Sequence, residues 1–502
     1  MSTRHPYRRN LVRDAFSLRT HQLGRRVISG AGFQFLSIAL RTIITIASTA
    51  ILARLLMPSD FGHVSMATVV TELAALFANF GLTQILIQRQ RITRLQMDTV
   101  FWASLALGIS LAIIVFGASF FASLLFNDEK VGELLRVLCL TFVFGGLTAV
   151  PWVVQMRLMR FRTEFWIQIT IVITRTLVAI ACAYQGMGAW SLVAGALTGS
   201  LMGVILGFIV VPYRPRFRFH GAFLKATWRT SGSYFGGGML FYANMNLDLI
   251  LIGRQLGAES LGYYQNARSL TDEIRGRIAI PLQHVLFPAF SAVQNEPLRA
   301  QEMFLRSGRI LAAIVIPIGI GVMALAPEIV PVLFGDKWLP MIPILSMLGI
   351  SAAVRASTAI ASPVINAHNK VSTALKYQIV STALLVTGII VALPYGLVAV
   401  AAAQAIVVFY SLVPFRFALG LLGLGLPAMW HVLGPPSVAS AAAATAIFIL
   451  RPYSVEWLGQ PGWMLIFHTF TSATLYLAVL LLQSRRYLGD IRSIINSYLR
   501  RS

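Results

Sequence analysis

Charge is scarce in this chain of 502 residues: 12% are Asp, Glu, Lys or Arg, roughly half of what a soluble chain carries. Carboxylates are the scarcest kind, 18 against 41 basic residues. Cysteine is almost absent. Cys139 and Cys182 stand alone in apolar stretches, so a disulfide framework, a CxxC redox motif and a thiolate metal site are all excluded. No DxD, HExxH or GxSxG sequence stands in a loop, which removes the common motif-borne enzyme sites. No cleavable leader is expected. The first 26 residues are polar, and the first apolar segment is too long for a leader and carries Arg41.

What fills the chain instead is apolar sequence, 57% of residues, with mean hydropathy +0.74. Runs of about 20 apolar residues recur, the length that crosses a bilayer as a helix. Barrel strands would be about 10 residues long and alternating, so the expected class is an all-α polytopic membrane protein. Fourteen spans are predicted, at 27–53, 62–87, 99–126, 134–156, 164–185, 188–211, 231–253, 261–291, 310–334, 341–366, 373–393, 396–415, 431–450 and 463–483.

The net charge of +23 would suit nucleic acid if it were clustered, but it is parcelled out among loops. Loops on the N-terminal side of these spans, with both tails and with Lys376 at the edge of the eleventh span, hold 29 Lys and Arg. Loops on the other side hold five: Arg54, Lys130, Arg254, Lys337 and Arg451. The positive-inside rule then places both termini in the cytoplasm, facing anionic lipid, with no nucleic-acid partner. The longest loop outside the cytoplasm is predicted at 451–462, too short for a catalytic domain.

One short pattern occurs twice. ILARLLMPSDFGHVSM at 51–66 and LIGRQLGAESLGYYQNA at 251–267 align with an offset of 200, matching Arg54 to Arg254, Leu56 to Leu256 and Gly62 to Gly262. Asp60 falls on Ser260, both good helix N-caps. A second echo sets QGMGAWSLVAG against LPYGLVAVAAA, with Gly188 opposite Gly396. Six spans separate the copies, so they run in the same direction, as in parallel-repeat transporters. The expected organisation is a basic arm (1–26), a first lobe (27–211), a basic linker (212–230), a second lobe (231–415), an extra helix pair (416–483) and a basic tail (484–502).

Polar residues inside spans carry the functional signal. In the first span Gln34, Ser37, Arg41, Thr45 and Ser48 recur at spacings of 3, 4, 4 and 3, forming one stripe. The second carries Thr68, Glu72, Asn79 and Thr83; the seventh carries Asn244 and Asp248. In the eighth, Arg268, Asp272 and Arg275 share a face, and Glu273 and Arg277 form an i, i+4 pair. The tenth carries Ser351, Arg355, Thr358 and Ser362, and the fifth carries Arg175. An arginine at mid-bilayer costs about 3 kcal/mol or more and needs a carboxylate, water or an anionic ligand. Glu273–Arg277 and Arg136 read as structural pairing. Glu133 and Glu328 lie near span ends, within reach of water. The remaining excess of arginines predicts a cationic cavity for phosphate, pyrophosphate or carboxylate. Arg41, Arg268, Arg275, Arg355, Gln34 and Asn244 are the candidate ligands. Glu72, Asp248 and Asp272 are candidates for coupling to H⁺ or Na⁺, with no other cofactor expected. Pro317, Pro281, Pro288 and the glycines of spans seven and nine permit bends or close packing.

LARLLMPSDFG and LFANFGLTQILIQ, with NLDLILIGRQLGAESLGYYQNARSL and VLFPAFSAVQ in the second half, resemble Wzx-type polysaccharide flippases of the multidrug/oligosaccharidyl-lipid/polysaccharide exporter superfamily. The resemblance extends over about residues 27–420. It implies two six-helix lobes around a central cavity lined by cations of spans one and eight, here Arg41, Arg268 and Arg275. It also implies that an undecaprenyl-pyrophosphate-linked oligosaccharide passes to the outer leaflet of the bacterial inner membrane by alternating access. A polysaccharide polymerase and chain-length machinery would be partners. Rival readings are a multidrug or cation antiporter, which would favour an acidic cavity, a membrane polymerase or ligase, and a non-transporting assembly subunit.

Overall fold

The computed structural model describes residues 23–78, 82–211 and 213–483, with side chains described throughout except at 23–35, 225–241 and 243–245. No strand occurs among the described residues. The helices are α1 (Leu23–Leu55), α2 (Pro58–Ala78), α3 (Leu82–Gln88), α4 (Arg94–Phe126), α5 (Glu129–Leu138), α6 (Leu140–Arg157), α7 (Phe161–Tyr184), α8 (Ala189–Val210) and α9 (Gly221–Ile274). A π turn (Arg275–Ala279) leads into α10 (Ile280–Ala292), α11 (Pro297–Leu333), α12 (Met341–Ser357), α13 (Ala361–Ala367) and α14 (Val371–Ala392). The described residues end in α15 (Leu397–Val407), α16 (Leu412–Leu421), α17 (Leu426–Leu458) and α18 (Pro461–Gln483).

Among the described residues, eleven helices are long and apolar enough to cross a membrane, or twelve if α2 and α3 count as one span. Every one of the fourteen expected spans overlaps a helix. The seventh and eighth, both on or adjoining α9, are not among the apolar set. The charges at Arg268, Asp272, Glu273, Arg275 and Arg277 dilute the eighth. Residues 1–22 of the basic arm and the whole basic tail lie outside the described residues, and 23–26 of the arm belong to α1.

Two compact units form, Met1–Gly262 and Tyr263–Ser502. The expected seventh span therefore falls within the first unit. Local sequence explains the ends of several helices. Thr93 caps α4 with a full capping box to Gln96. Asn127 ends α4 in the left-handed conformation, and Asp128 then caps α5 by accepting from Lys130 N. Beyond α8 the chain lies back against α4. Tyr213 donates to Asp98 Oδ1 at 2.5 Å, Trp102 Nε1 donates to the Arg216 carbonyl at 2.9 Å, and Phe217 stacks on Trp102 at 4.2 Å. Burial and the Asp98 carboxylate push the Tyr213 hydroxyl above its ordinary value, keeping it a neutral donor.

Helices in lipid associate through close packing, not through the hydrophobic effect. In the first unit α4 and α6 cross at Gly108 and Gly146, where an added Cβ would stand 2.4 Å from the Phe142 carbonyl oxygen or 2.7 Å from that of Ser104. In the second unit α11 and α12 cross at Gly319 and Gly349, each facing the other's carbonyl oxygen at 2.7 Å from such a Cβ. The second unit also buries an aromatic core of Phe290, Phe304 and Phe415.

The duplicated corner is resolved in detail. α2 begins at Pro58, so Asp60 sits within its first turn instead of capping it. Its carboxylate accepts from Met57 N and from Ala189 N, both at 3.0 Å, tying the start of α8 to the corner. The equivalent break in α9 falls at Gly257, at φ 79° and ψ 178°, a conformation that excludes a β-carbon. Ser260 is likewise inside the following helical turn. The assignment of Asp60 and Ser260 as N-caps is thus corrected by three residues, because Pro58 and Ala258 already occupy the first helical positions. Gly188 and Gly396 each precede a helix with positive φ, 54° and 90°.

Candidate functional site

The second unit gathers the densest set of charge expected from sequence. Arg268 and Asp272 occupy successive turns of α9, with Nε 3.2 Å from Oδ2. One turn on, at the start of the π segment, Arg275 has Arg355, Asp272 and Arg268 as its charged neighbours. Arg355 comes from the last turn of α12, which packs against the π turn. Arg275 thus has two guanidinium groups and one carboxylate around it. Such a cluster is poorly balanced internally and presents planar forks suited to phosphate oxygens. Beside it, Glu273 and Arg277 form their own pair, Nε to Oε2 at 2.5 Å. The α12 stripe survives in part: Ser351 and Thr358 are buried, while Ser362 is exposed beyond a short 3₁₀ turn.

In the first unit Ser37 is buried and Arg41 half-buried on α1. Arg41 has no ion pair or hydrogen bond among the described residues. Glu72 is exposed on α2, and Asp248 is buried on α9, its Oδ1 accepting from Leu249 N at 3.0 Å. Both residues make further interactions with their neighbours. Gln34 and Asn244 sit on α1 and α9, and their side chains lie outside the described residues, as does Asn79. Arg136 lies over the Phe120 ring at 4.6 Å, a cation–π contact in place of the expected ion pair. Among the described residues no cluster of His, Cys, Asp and Glu is arranged to hold a metal.

Two polar centres were not legible from sequence. Glu328, expected to reach water, is 2% exposed on α11. Its two oxygens accept from Arg451 Nε at 2.8 Å and Nη2 at 3.1 Å, and His468 Nδ1 lies 3.1 Å away. His468 Nε2 is 2.9 Å from Ser454 Oγ. Arg451 and Ser454 belong to α17 and His468 to α18, so the predicted 451–462 loop shrinks to the short turn between Leu458 and Pro461. Charge pairing holds this stretch as helix: a buried carboxylate demands a partner, Arg451 supplies it, and the helix runs on to Leu458, where Gly459 ends it in the left-handed conformation. A single His in the apolar run of the last span was the available signal. The second centre is Arg157, counted above with the loop charges. It is 6% exposed, and its guanidinium donates to the carbonyls of Leu86 (2.6 Å), Ile87 (3.3 Å), Arg89 (2.5 Å) and Gln90 (3.1 Å), closing the C-terminal end of α3.

Comparison with known proteins places the fold and the family. The polysaccharide biosynthesis protein family matches residues 51–343. The lipopolysaccharide biosynthesis protein WzxC of Escherichia coli (strain K12) is 25% identical over 376 residues, 74% of this chain and 75% of that protein. The succinoglycan biosynthesis transport protein ExoT of Rhizobium meliloti (strain 1021) is 28% identical over 305 residues, 61% of this chain and 62% of its own length. The teichuronic acid biosynthesis protein TuaB of Bacillus subtilis (strain 168) is 25% identical over 333 residues, 66% and 69% of the two chains. Among solved structures, the lipid II flippase MurJ in an inward closed conformation superposes with a TM-score of 0.73 at 14% identity, covering 91% of this chain and 99% of that one. An inward-facing multidrug resistance transporter of the MOP superfamily gives 0.60 at 15% identity, covering 76% and 94%. With 14–15% identity these structures speak to fold, and the sequence match speaks to kinship. The chain is a multi-pass membrane protein with the MOP-superfamily fold, and it belongs to the polysaccharide biosynthesis protein family.

Proposed function

We propose that the chain is a flippase that moves an undecaprenyl-pyrophosphate-linked oligosaccharide repeat unit across the bacterial inner membrane, for exopolysaccharide, capsule or O-antigen synthesis. No bond is made or broken. The observation that carries this reading is the gathering of Arg268, Arg355 and Asp272 around Arg275, three cations with one carboxylate. In a low-dielectric setting that excess of fixed positive charge is stabilised by a polyanion, and a pyrophosphate offers enough oxygens for several forks. Arg41, on the first span, is a separate candidate ligand in the first unit. The names of the relatives support a lipid-linked or polymeric sugar over a drug cation, and the basic character of the cluster points the same way.

The pairing also suggests how a coupling ion enters the cycle. With no substrate, Arg268 neutralises Asp272. When Arg268 turns to the pyrophosphate, Asp272 loses its ion-pair partner and offers its carboxylate to H⁺ or Na⁺. Release of the head group returns Arg268 to Asp272 and expels the ion. Asp248 and Glu72 are the alternative carriers.

The direct experiment is a deletion strain supplied with wild-type or variant protein, scored for polymer export and for the leaflet holding the lipid-linked units. Accumulation on the cytoplasmic face, reversed by wild type and not by Arg355→Gln, is expected. Accumulation on the periplasmic face would assign the chain to a later step.

A further inference from the structure

The first unit holds a cleft of about 320 Å³ between α6, α7 and α8, at the level of the membrane spans. Its walls are unlike the apolar surroundings. Arg175 from the middle of α7 lines it, together with Gln155 and Trp152 of α6, Glu164 and Gln168 of α7, and Ser200 of α8. Gly199, Gly203 and Gly207 leave the α8 side open along successive turns. Arg175 has no ion pair or hydrogen bond among the described residues, unlike Arg268, Arg277 and Arg451. Gln155 is 4% exposed, and its carboxamide oxygen has no hydrogen-bond partner. Gln168 donates to the buried Glu164 carboxylate at 2.8 Å. An unpaired guanidinium in the span region and an orphaned acceptor beside it are both costly unless something completes them.

The order of these groups along the cleft describes the missing partner. Glu164 lies in the first turn of α7 and Arg175 eleven residues on, about 16 Å further into the span. A cation sits deep, while acceptors and an aromatic face lie toward the end where α6 meets α7. A helix directs its side chains toward its own N-terminus, so the Arg175 guanidinium reaches back toward those acceptors, and a phosphate drawn into the cleft would meet it with hydroxyls on the Glu164 side. We propose that this cleft binds the phosphate of a lipid with a hydroxylated head group, Arg175 holding the phosphate and Gln155 and Glu164 accepting from hydroxyls. Trp152 supplies a flat apolar wall of the kind on which a sugar or polyol face packs. The volume, roughly that of ten waters, accommodates a phosphate with a polyol or a single sugar ring. Two lipids share this chemistry, a resident phosphatidylglycerol and the sugar-linked prenyl pyrophosphate that the flippase reading supplies.

Binding to the purified full chain in phosphatidylcholine nanodiscs tests the proposal without any transport. The probes are phosphatidylglycerol and undecaprenyl pyrophosphate carrying one glucose, read by native mass spectrometry and by thermal shift. Wild type is expected to bind one or both, with Arg175→Gln weakening that binding at least tenfold and Gln155→Leu weakening it less. Gly203→Leu, which fills the cleft from α8 where the nearest atom is the flexible end of Ile171, is expected to block binding while the protein still melts cooperatively. Loss for phosphatidylglycerol alone identifies a resident lipid; loss for the prenyl probe identifies a loading site for cargo. Identical titrations of wild type, Arg175→Gln and Gly203→Leu by both probes would overturn the proposal, whether or not the flippase reading holds.

Discussion

Gly62 and Gly262 meet at the duplicated corner of the first unit, each pressed against the backbone of the other's helix start. A Cβ on Gly62 would stand 1.7 Å from the Ala258 carbonyl oxygen. One on Gly262 would stand 1.9 Å from the Pro58 carbonyl oxygen and 3.3 Å from Gly62 N. The contact is reciprocal: position 62 faces 258, and 262 faces 58, the pattern a two-fold axis imposes on an isologous interface.

Alanine at either glycine has nowhere to go, since both obstacles are backbone. Gly62→Ala and Gly262→Ala are expected to cost about 3 kcal/mol or more, the upper end for overpacking. Melting of detergent-solubilised protein checks this. Gly117→Ala, with nothing within 4 Å of its Cβ, should be neutral or slightly stabilising.

Glu328, Arg451 and His468 clamp the last two helices, α17 and α18, to α11. Removing one charge strands the other, so Glu328→Leu or Arg451→Leu should each destabilise by about 3–5 kcal/mol. The double variant Glu328→Leu/Arg451→Leu should recover much of the loss. A double-mutant cycle on thermal stability measures the coupling. Simple additivity would show that the pair is not the source of the effect.

Arg157 donates to four carbonyls at once. Arg157→Ala should cost about 2–3 kcal/mol through stranded acceptors at a helix end. Arg157→Lys should restore less than half, because one ammonium cannot reach the spread that a planar guanidinium covers. Limited proteolysis between Gln88 and Arg94, compared across the three proteins, reads the local loosening.

For the basic cluster, Arg355→Gln and Arg275→Gln should reduce polymer export at least tenfold with unchanged membrane level. Arg277→Gln, whose charge is spent on Glu273, should reduce it much less. Asp272→Asn should retain head-group binding and lose dependence on the coupling ion, measured as export against external pH and Na⁺. Equal defects at all four positions would favour a packing role for the whole region.

The sequence made the helical class legible because a bilayer demands long apolar runs, and stripes such as Arg268–Asp272–Arg275 follow from helical spacing alone. The Glu273–Arg277 pair was readable for the same reason. Glu328 was misread because its partners lie 123 and 140 residues away, and no local periodicity encodes that distance. Arg157 was hidden in a loop charge count, where a topological signal and a structural ligand look alike. The corner was visible as a repeat, but not as a contact between its own two copies. That contact depends on tertiary approach, which glycine permits and does not specify.

The π turn at Arg275–Ala279 has a consequence for how this helix can change over time. Its backbone pairs Ile280 N with the Arg275 carbonyl, and such a turn is equivalent to one residue inserted into an α-helix. Everything before it, including Arg268 and Asp272, keeps one phase. Everything after it, including Gln283 bonded to the Ala359 carbonyl at 2.7 Å and the buried Phe290, keeps another, offset by about 100°. Deleting Gly276, which has open space around it, would merge the two phases and swing one face away from its neighbours. A lineage can therefore re-aim the charged half without disturbing the packed half by gaining or losing a single codon.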